Sequence, residues 1–359
     1  MKAVIPTGGR GTRMQPITFS ANKHFIPVAN KPLIFYPIET IAQIGVKEVG
    51  ITYNPGMLEY VKSFLGDGAK WGLTFTFVLQ ERPIGLANIV QVCKDFLDGE
   101  PFIFHLGDNI FADGIVEAAE YFRTKKPNGL VTMIHHKQNK RMGVPYFDKH
   151  GHLKKYVEKP KNPPHDFAVP GAYFADRNFF KAFQGKDRIR PSARGEYEIP
   201  TPFQWLVDHN YRVDVIEYIG KWLDPGKFDD WIEANQYLLD KKIETKIESK
   251  IDKQSVIENR VNMGKRCKIV NSKIRGPVAI GSGVAIINSY IGPFTSIGND
   301  SRIENSHVEN CVIMEGVKIA NIKQPIDASL IGTNAEITNS VGPTQSLRFF
   351  VGEKSKISI

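Results

Sequence analysis

The residue types best suited to chemistry lie close to the start of the chain, in Pro6-Thr7-Gly8-Gly9-Arg10-Gly11-Thr12-Arg13-Met14-Gln15-Pro16. Glycines let backbone N–H groups come close to an anion, and an arginine adds a planar charged fork that matches phosphate oxygens. The segment therefore reads as a triphosphate cradle. No Gly-Lys-Ser/Thr follows it, which excludes a Walker A loop, and the third glycine of a dinucleotide fingerprint is missing. A second candidate is Leu106-Gly107-Asp108-Asn109, where an acid ends an apolar run. A carboxylate at the end of a buried strand is costly unless it binds a cation or caps a turn. From the residues alone, Asp108 stays open between those roles.

These positions need a scaffold. From residue 1 to about 240, short β-branched runs alternate with longer amphipathic ones, the βαβα pattern of a mostly parallel sheet covered by helices. Val4-Ile5, Val49 to Thr52, Leu73 to Leu79 and Phe102 to Leu106 read as strands. Leu33 to Ile44, Leu58 to Leu65 and Leu86 to Leu97 place apolar residues three and four apart, as core-facing helices do. Ligands of such sheets sit at the carboxyl ends of strands, which points to the loops after Ile5 and Leu106. The expected architecture is α/β: a Rossmann-like domain with a mostly parallel mixed sheet over 1–240, a connecting helix or linker over 241–255, and a repeat domain over 256–359.

The repeat is visible as an interval of 17: Asn271-Ser272, Asn288-Ser289 and Asn305-Ser306 recur at it, and Asn339-Ser340 falls two intervals later. Met263-Gly264, Ile280-Gly281 and Ile297-Gly298 keep the same spacing. Aliphatic residues fall five or six apart at Ile274, Ile280, Ile286, Ile291, Ile297, Ile303 and Val308, one for each side of a three-sided parallel β-helix. Regularity fails from Ala320 to Asp327, where a loop or irregular coil is expected. In 241–255, Ile243, Ile247 and Ile251 lie four apart among charged residues, which reads as an amphipathic helix or a solvated linker.

With 359 residues and 42% apolar content the chain can bury one large and one smaller core. It opens directly on a strand-like run without a leader pattern, and no apolar stretch of about 18 residues occurs, so a cytoplasmic protein with no membrane partner is expected. Cys93, Cys267 and Cys311 stand far apart, without the spacing of a zinc site or a disulfide framework. The formal charge of +9 comes from scattered residues, with no basic run interleaved with aromatics. That argues against nucleic acid and for phosphorylated small molecules.

Gly-Gly-x-Gly-Thr-Arg followed by Lys23-His24-Phe25-Ile26-Pro27-Val28-Ala29-Asn30-Lys31-Pro32 resembles the signature of sugar-1-phosphate nucleotidylyltransferases. The resemblance continues in order through Leu79-Gln80-Glu81-Arg82-Pro83-Ile84-Gly85-Leu86-Ala87, Leu106 to Asn109, Gly143, Glu158-Lys159-Pro160, Val169, Pro191 to Glu196 and Trp222-Leu223-Asp224-Pro225-Gly226. It implies that Gly8, Gly9, Gly11, Thr12, Arg13 and Lys23 hold the nucleotide phosphates, with Lys31 structural. Gln80, Pro83 and Gly85 would meet the base. It implies a sugar-phosphate pocket of Leu106, Gly143, Glu158, Lys159, Val169 and Arg194, with Glu158 on sugar hydroxyls and Lys159 and Arg194 on the phosphate. Asp108 and Asp224 would hold Mg2+, Asp108 also facing the nucleotide; Arg13, Lys23, Asp108, Lys159 and Asp224 would form the catalytic set.

The repeats and the ending Ser346 to Glu353 resemble the long form of the thymidylyltransferase branch of that family, whose C-terminal domain is a left-handed β-helix. The implied reaction moves a nucleotidyl group from a nucleoside triphosphate, dTTP favoured, to a sugar 1-phosphate, glucose 1-phosphate favoured. The sequence departs from the family pattern at Pro6-Thr7, Asn88 and Pro225, which keeps uridylyl transfer as an alternative. A non-catalytic subunit on the same fold and an acetyl-transferring β-helix are further alternatives; beyond residue 209 the latter has only His307 to use. All chemistry is thus assigned before residue 225. The repeats, with flat flanks and open ends, are expected to serve stability and homo-oligomer assembly.

Overall fold

The computed structural model describes residues 1–9, 11–339 and 354. Arg10, Ser340 and the segment Ser346 to Glu353 that carries part of the resemblance lie outside the described residues. Two compact units are present, one formed by Met1–Gly9 with Ile34–Trp222, the other by Arg10–Leu33 with Leu223–Ile359.

The first unit is built on an eight-stranded sheet. Lys2–Pro6 lies between Glu48–Tyr53 and Phe102–His105 and is parallel to both; Thr74–Leu79 extends the parallel run beyond Glu48–Tyr53. Ala172–Ala175 pairs antiparallel to Phe102–His105 and to Gly129–His135, so the sheet is mixed. Ala3, Val4, Ile5, Phe102, Ile103 and Phe104 are buried on both faces. Helices cover such strands, which is why they read as continuous apolar runs rather than alternating ones. Strand order reverses beside Lys2–Pro6, and a crevice is expected at the carboxyl ends of the strands there. Thr7 to Gly9 and Leu106 to Asp108 leave the sheet at that point.

The helices occupy Phe35–Gln43, Leu58–Leu65, Leu86–Val92, Lys94–Leu97, Val116–Lys125 and Pro200–Asp208. The helix expected over Leu86 to Leu97 is interrupted at Cys93, whose φ of −85° and ψ of 5° break the ladder. The periodicity persists because both pieces turn their apolar residues to the same core of Val90, Cys93 and Leu97.

The second unit contains the hairpin Pro27–Val28/Lys31–Pro32, the helix Phe228–Lys242 and the repeats. Three parallel sheets of six, four and five strands make up the repeats, an arrangement that fits a left-handed β-helix. Their registers step by 17 over the middle turns, as in Val261↔Val278 and Val278↔Thr295, and by 16 at Lys246↔Asn262, Ser296↔Val312 and Arg302↔Lys318. Ile269, Ile274, Ile280, Ile286, Ile291, Ile297, Ile303, Val308 and Ile313 fill the interior.

The Asn-Ser pairs have a physical reason at one corner. Asn271, Asn288 and Asn305 take left-handed φ values of 43°, 47° and 45°, which asparagine tolerates better than other side-chain-bearing residues. Their amides form an outer ladder, Asn271 Nδ2 donating to Asn288 Oδ1 at 2.9 Å and Asn288 to Asn305 at 3.2 Å. Each serine hydroxyl accepts a backbone N–H from the next turn: Ser272 from Ser289 at 3.1 Å, Ser289 from Ser306 at 3.2 Å and Ser306 from Ile322 at 3.2 Å.

One expectation changes. Residues 241–255 are neither a connecting helix nor a solvated linker: the helix ends at Lys242, Lys246–Ile247 pairs in parallel with Asn262–Met263, and Ile251 bridges Ile269. The first turn of the β-helix therefore precedes residue 256, and its charged residues cover an outer face. By contacts, Arg10–Leu33 and Leu223–Lys242 belong to the compact unit of the repeats. Between Lys318–Ala320 and Leu330–Ile331 the only described pairing is the Ile326–Val308 bridge, and the register step becomes 18, the irregular turn expected there.

Candidate active site

The glycine loop begins in the first unit, where it is tied to the neighbouring strand. Thr7 donates its backbone N–H and its hydroxyl to the Thr52 carbonyl, at 3.0 and 2.7 Å. The threonine that departs from the family pattern thus fixes the exit of the strand. A Cβ added at Gly8 would lie 2.7 Å from Asn54 Oδ1, so a side chain there would have to displace the Asn54 amide. Asn54 Nδ2 in turn donates to the Gly8 carbonyl at 2.8 Å.

At the adjacent strand end the Leu106 N–H donates to Gly171 O at 2.7 Å. Asn109, buried, donates from Nδ2 to Asp108 Oδ1 at 3.0 Å and accepts from Trp222 Nε1 at 3.1 Å. The carboxylate is therefore aimed by an amide that is itself held by an indole. Beneath it, His105 is fully buried with Nδ1 against Leu106 O at 2.8 Å, and Nε2 has no hydrogen-bond partner. Burial lowers its imidazole to about 4, against the favourable pull of the Leu106 carbonyl and of Asp108. His105 is neutral at neutral pH.

Gly143, Glu158, Lys159, Val169 and Arg194 come together on one patch of the first unit. Gly143 is the strand partner of Glu158, and its carbonyl accepts the Val169 N–H at 2.8 Å. A Cβ at Gly143 would press into the Tyr156 ring at 2.7 Å. Lys159 Nζ is 3.1 Å and Arg194 Nη2 3.9 Å from Glu158 Oε1. Burial holds the Glu158 carboxyl above the usual carboxylate range, and the Lys159 ammonium opposes it. Lys159 has a φ of 47°, an uncommon backbone state for a lysine before a proline, whose ring disfavours the α regions. Such strain persists only where its surroundings impose it, and it concentrates at functional loops. Here the Lys159 N–H is fixed on Met142 O at 3.0 Å.

Sequence reasoning missed Glu198, which accepts from Arg194 Nη2 at 2.7 Å and from the Ser192 hydroxyl at 2.9 Å, steadying the guanidinium beside Glu158. In the loop from Gln80 to Gly85, Gly85 has a φ of 112°, and a Cβ there would strike the Tyr197 backbone. Gln80 is buried, and its Nε2 donates to Asn88 Oδ1 at 3.3 Å while Asn88 Nδ2 donates to Gln91 Oε1 at 3.3 Å. The departure at Asn88 is thus an amide partner of Gln80. Pro83 is exposed on the same loop.

In the second unit Lys23 is almost fully buried, and Asp224 Oδ1 lies 3.7 Å from its Nζ. Gly11, at φ 58°, closes over Thr18, whose hydroxyl donates to the Gly11 carbonyl at 2.8 Å. Thr12 and Arg13 follow on an exposed single turn. Arg13 Nη2 is 3.2 Å from where a Cβ of Gly226 would stand, so this glycine makes room for the guanidinium. Arg13, Lys23, Asp224 and Gly226 thus form one group.

Among the described residues no three His, Cys, Asp or Glu side chains gather as a metal cage. Hard carboxylates such as Asp108 and Asp224 suit magnesium, which takes one or two carboxylates and completes its shell with phosphate and water. They do not suit structural zinc. His307, on which an acetyl-transferring repeat would depend, packs edge-on against Tyr290 at 4.5 Å and faces Glu309 at 3.7 Å.

A doubly wound sheet with a glycine loop at its switch point and paired cation-carboxylate clusters defines a class, and the chain belongs to the nucleotidyl transferase family, whose model matches residues 2–241. It is 36% identical to a glucose-1-phosphate thymidylyltransferase of Streptomyces antibioticus over 100% of this chain and 99% of that protein. The corresponding protein of Streptomyces griseus is 34% identical over the same shares. Among solved structures, one described as a glucose-1-phosphate thymidylyltransferase from Bacillus anthracis superposes with a TM-score of 0.60 at 32% identity, covering 66% of this chain and 94% of that one. No helix among the described residues is long and apolar enough to cross a membrane.

Proposed function

We propose that this nucleotidyl transferase joins a sugar 1-phosphate, glucose 1-phosphate by preference, to the nucleotidyl group of a nucleoside triphosphate, dTTP by preference, with release of pyrophosphate. The observation that carries the reading is the patch of Gly143, Glu158, Lys159, Val169 and Arg194, in which one carboxylate is flanked by two cations. Glu158 accepts from sugar hydroxyls, and Lys159 and Arg194 offset the charge of the sugar phosphate. Gly8, Gly9, Gly11, Thr12, Arg13 and Lys23 receive the triphosphate, and Gln80 with the Gly85 backbone reads the base.

The sugar phosphate is already an ionised nucleophile near neutral pH, so no general base is required. One of its oxygens forms a bond to the α-phosphorus, the bond from that phosphorus to the bridging oxygen breaks, and pyrophosphate leaves with the electron pair. Catalysis then consists of alignment and charge neutralisation. Asp108 and Asp224 are the residues that would hold magnesium, which when bound neutralises charge on the phosphates. Arg13 and Lys23 offset the remainder from the chain itself.

The reading places the enzyme in the cytoplasm, in keeping with three unpaired, buried cysteines, and as a homo-oligomer built on β-helix flanks. Uridylyl transfer remains the second reading because Asn88, a departure from the family pattern, holds Gln80. A pyrophosphate-release assay across five nucleoside triphosphates and several sugar 1-phosphates tests both. The proposal expects pyrimidine nucleotides with glucose 1-phosphate to lead; a purine preference overturns it.

A further inference from the structure

The sequence pattern divides labour between a catalytic part and an inert repeat. The hydrogen bonds of the second unit do not follow that division. Lys23 opens a segment that turns through Ile26, whose N–H returns to Lys23 O at 3.2 Å, into the hairpin Pro27–Val28/Lys31–Pro32. Its two turn residues, Ala29 and Asn30, both have left-handed φ, 49° and 61°. Alanine resists this state, so the turn needs partners outside itself.

The β-helix and the helix before it supply them. Asn30 Nδ2 donates to two carbonyls on successive turns of the β-helix, Ala279 O at 3.1 Å and Ile297 O at 2.7 Å. Asn235, with no exposed surface, accepts the Ala29 N–H at 2.8 Å and the Ser296 hydroxyl at 3.0 Å. It also donates to Phe294 O at 2.9 Å. One amide thus ties together the hairpin, the helix Phe228–Lys242 and a turn of the β-helix. Trp231 closes the same seat, donating from Nε1 to Pro27 O at 2.8 Å.

We propose that the β-helix positions the nucleotide-phosphate lysine: Asn30 and Asn235 latch the hairpin that follows Lys23 onto the repeats and thereby fix where Lys23 stands beside Asp224. Neither asparagine touches substrate; both are positioning residues. The proposal rests on the reading of Lys23 as a triphosphate ligand, and it assigns the repeat domain a role in nucleotide binding besides stability. A buried amide whose every partner lies on another segment makes a directional connection that a greasy contact does not.

The test uses the full chain and three variants, with both KM values measured well below each melting midpoint. Asn30→Gly keeps the left-handed turn accessible and removes the latch alone. Asn305→Gly removes a corner of the outer Asn ladder, which bonds Asn288 and Asn321 and makes no hydrogen bond to the hairpin. Lys23→Met removes the ligand itself.

The expected result is that Asn30→Gly raises the KM for the triphosphate about tenfold or more and leaves that for the sugar 1-phosphate within about twofold. Asn305→Gly lowers thermal stability and moves neither KM. If Lys23→Met raises the triphosphate KM but Asn30→Gly moves neither, or moves both equally, the latch is only structural and the inference is overturned. If Lys23→Met leaves the triphosphate KM unchanged, the assignment of Lys23 is at fault, and the inference falls with it.

Discussion

In the β-helix the side-chain-bearing residues held at positive φ are mostly asparagines, among them 259, 271, 288, 305, 310, 321 and 334; beside Glu158 it is Lys159, immediately before a proline. The repeats use the residue that tolerates the left-handed corner and share its amides along a ladder. The loop places a long cation in a state it resists and holds it there by the Met142 carbonyl. Similarly, the interior of the repeats is apolar and neutral, whereas the sheet unit holds a half-buried Glu158 beside two cations and a fully buried His105 without a partner for Nε2. The contrast separates a region shaped for regularity from one that carries the backbone strain and desolvation in which functional sites are rich.

The largest expected effect lies at a strand end. Asp108→Asn keeps the hydrogen-bonding shape and removes the charge, and turnover should fall on the order of 10³-fold with an unchanged melting curve. Turnover within about tenfold of wild type would show that the loop carboxylate is a turn former. Ile286→Ala, in the repeat interior, should do the opposite. Fully buried truncations of this kind cost about 2–5 kcal/mol, while kcat per folded molecule stays put. A loss of kcat without loss of stability would break the comparison.

His105 gives a pH signature of similar size. Its folded pKa, about 4, is depressed below the ordinary 6.5, so between these values the unfolded chain binds the proton and the folded chain does not. The contribution is therefore fully present above about 6.5 and lost as pH falls through about 4, about 3 kcal/mol in all. Denaturant midpoints from pH 7 to pH 4 should fall less steeply for His105→Phe than for wild type; parallel profiles would mean that the imidazole is not held neutral. The smallest effect concerns the division of phosphates. Lys159→Met should raise the KM for sugar 1-phosphate about 10- to 30-fold with little change for the triphosphate, and Arg13→Ala should do the reverse.

The strands around Lys2–Pro6 and the repeat interior were legible because burial on both faces, or one aliphatic residue per side, leaves a local pattern. The turn that leaves the sheet after Pro6 was legible because glycines follow an apolar run. What could not be read depends on distant partners. Trp222 reaches Asn109 across 113 positions, and Asn235 reaches Ala29 across 206, so neither amide leaves a local trace. The isoleucines at 243, 247 and 251 misled for the same reason: parallel pairing of Ile247 with Met263 is non-local, while a spacing of four looks helical.

Incubating the protein with dTTP, glucose 1-phosphate and magnesium, and weighing the product by mass spectrometry alongside pyrophosphate, tests the central claim most directly. The account predicts thymidine diphosphate-glucose and one pyrophosphate per sugar nucleotide formed, with both lost in Asp108→Asn. Pyrophosphate or phosphate released without a sugar nucleotide, or no reaction with any pyrimidine triphosphate, would contradict it.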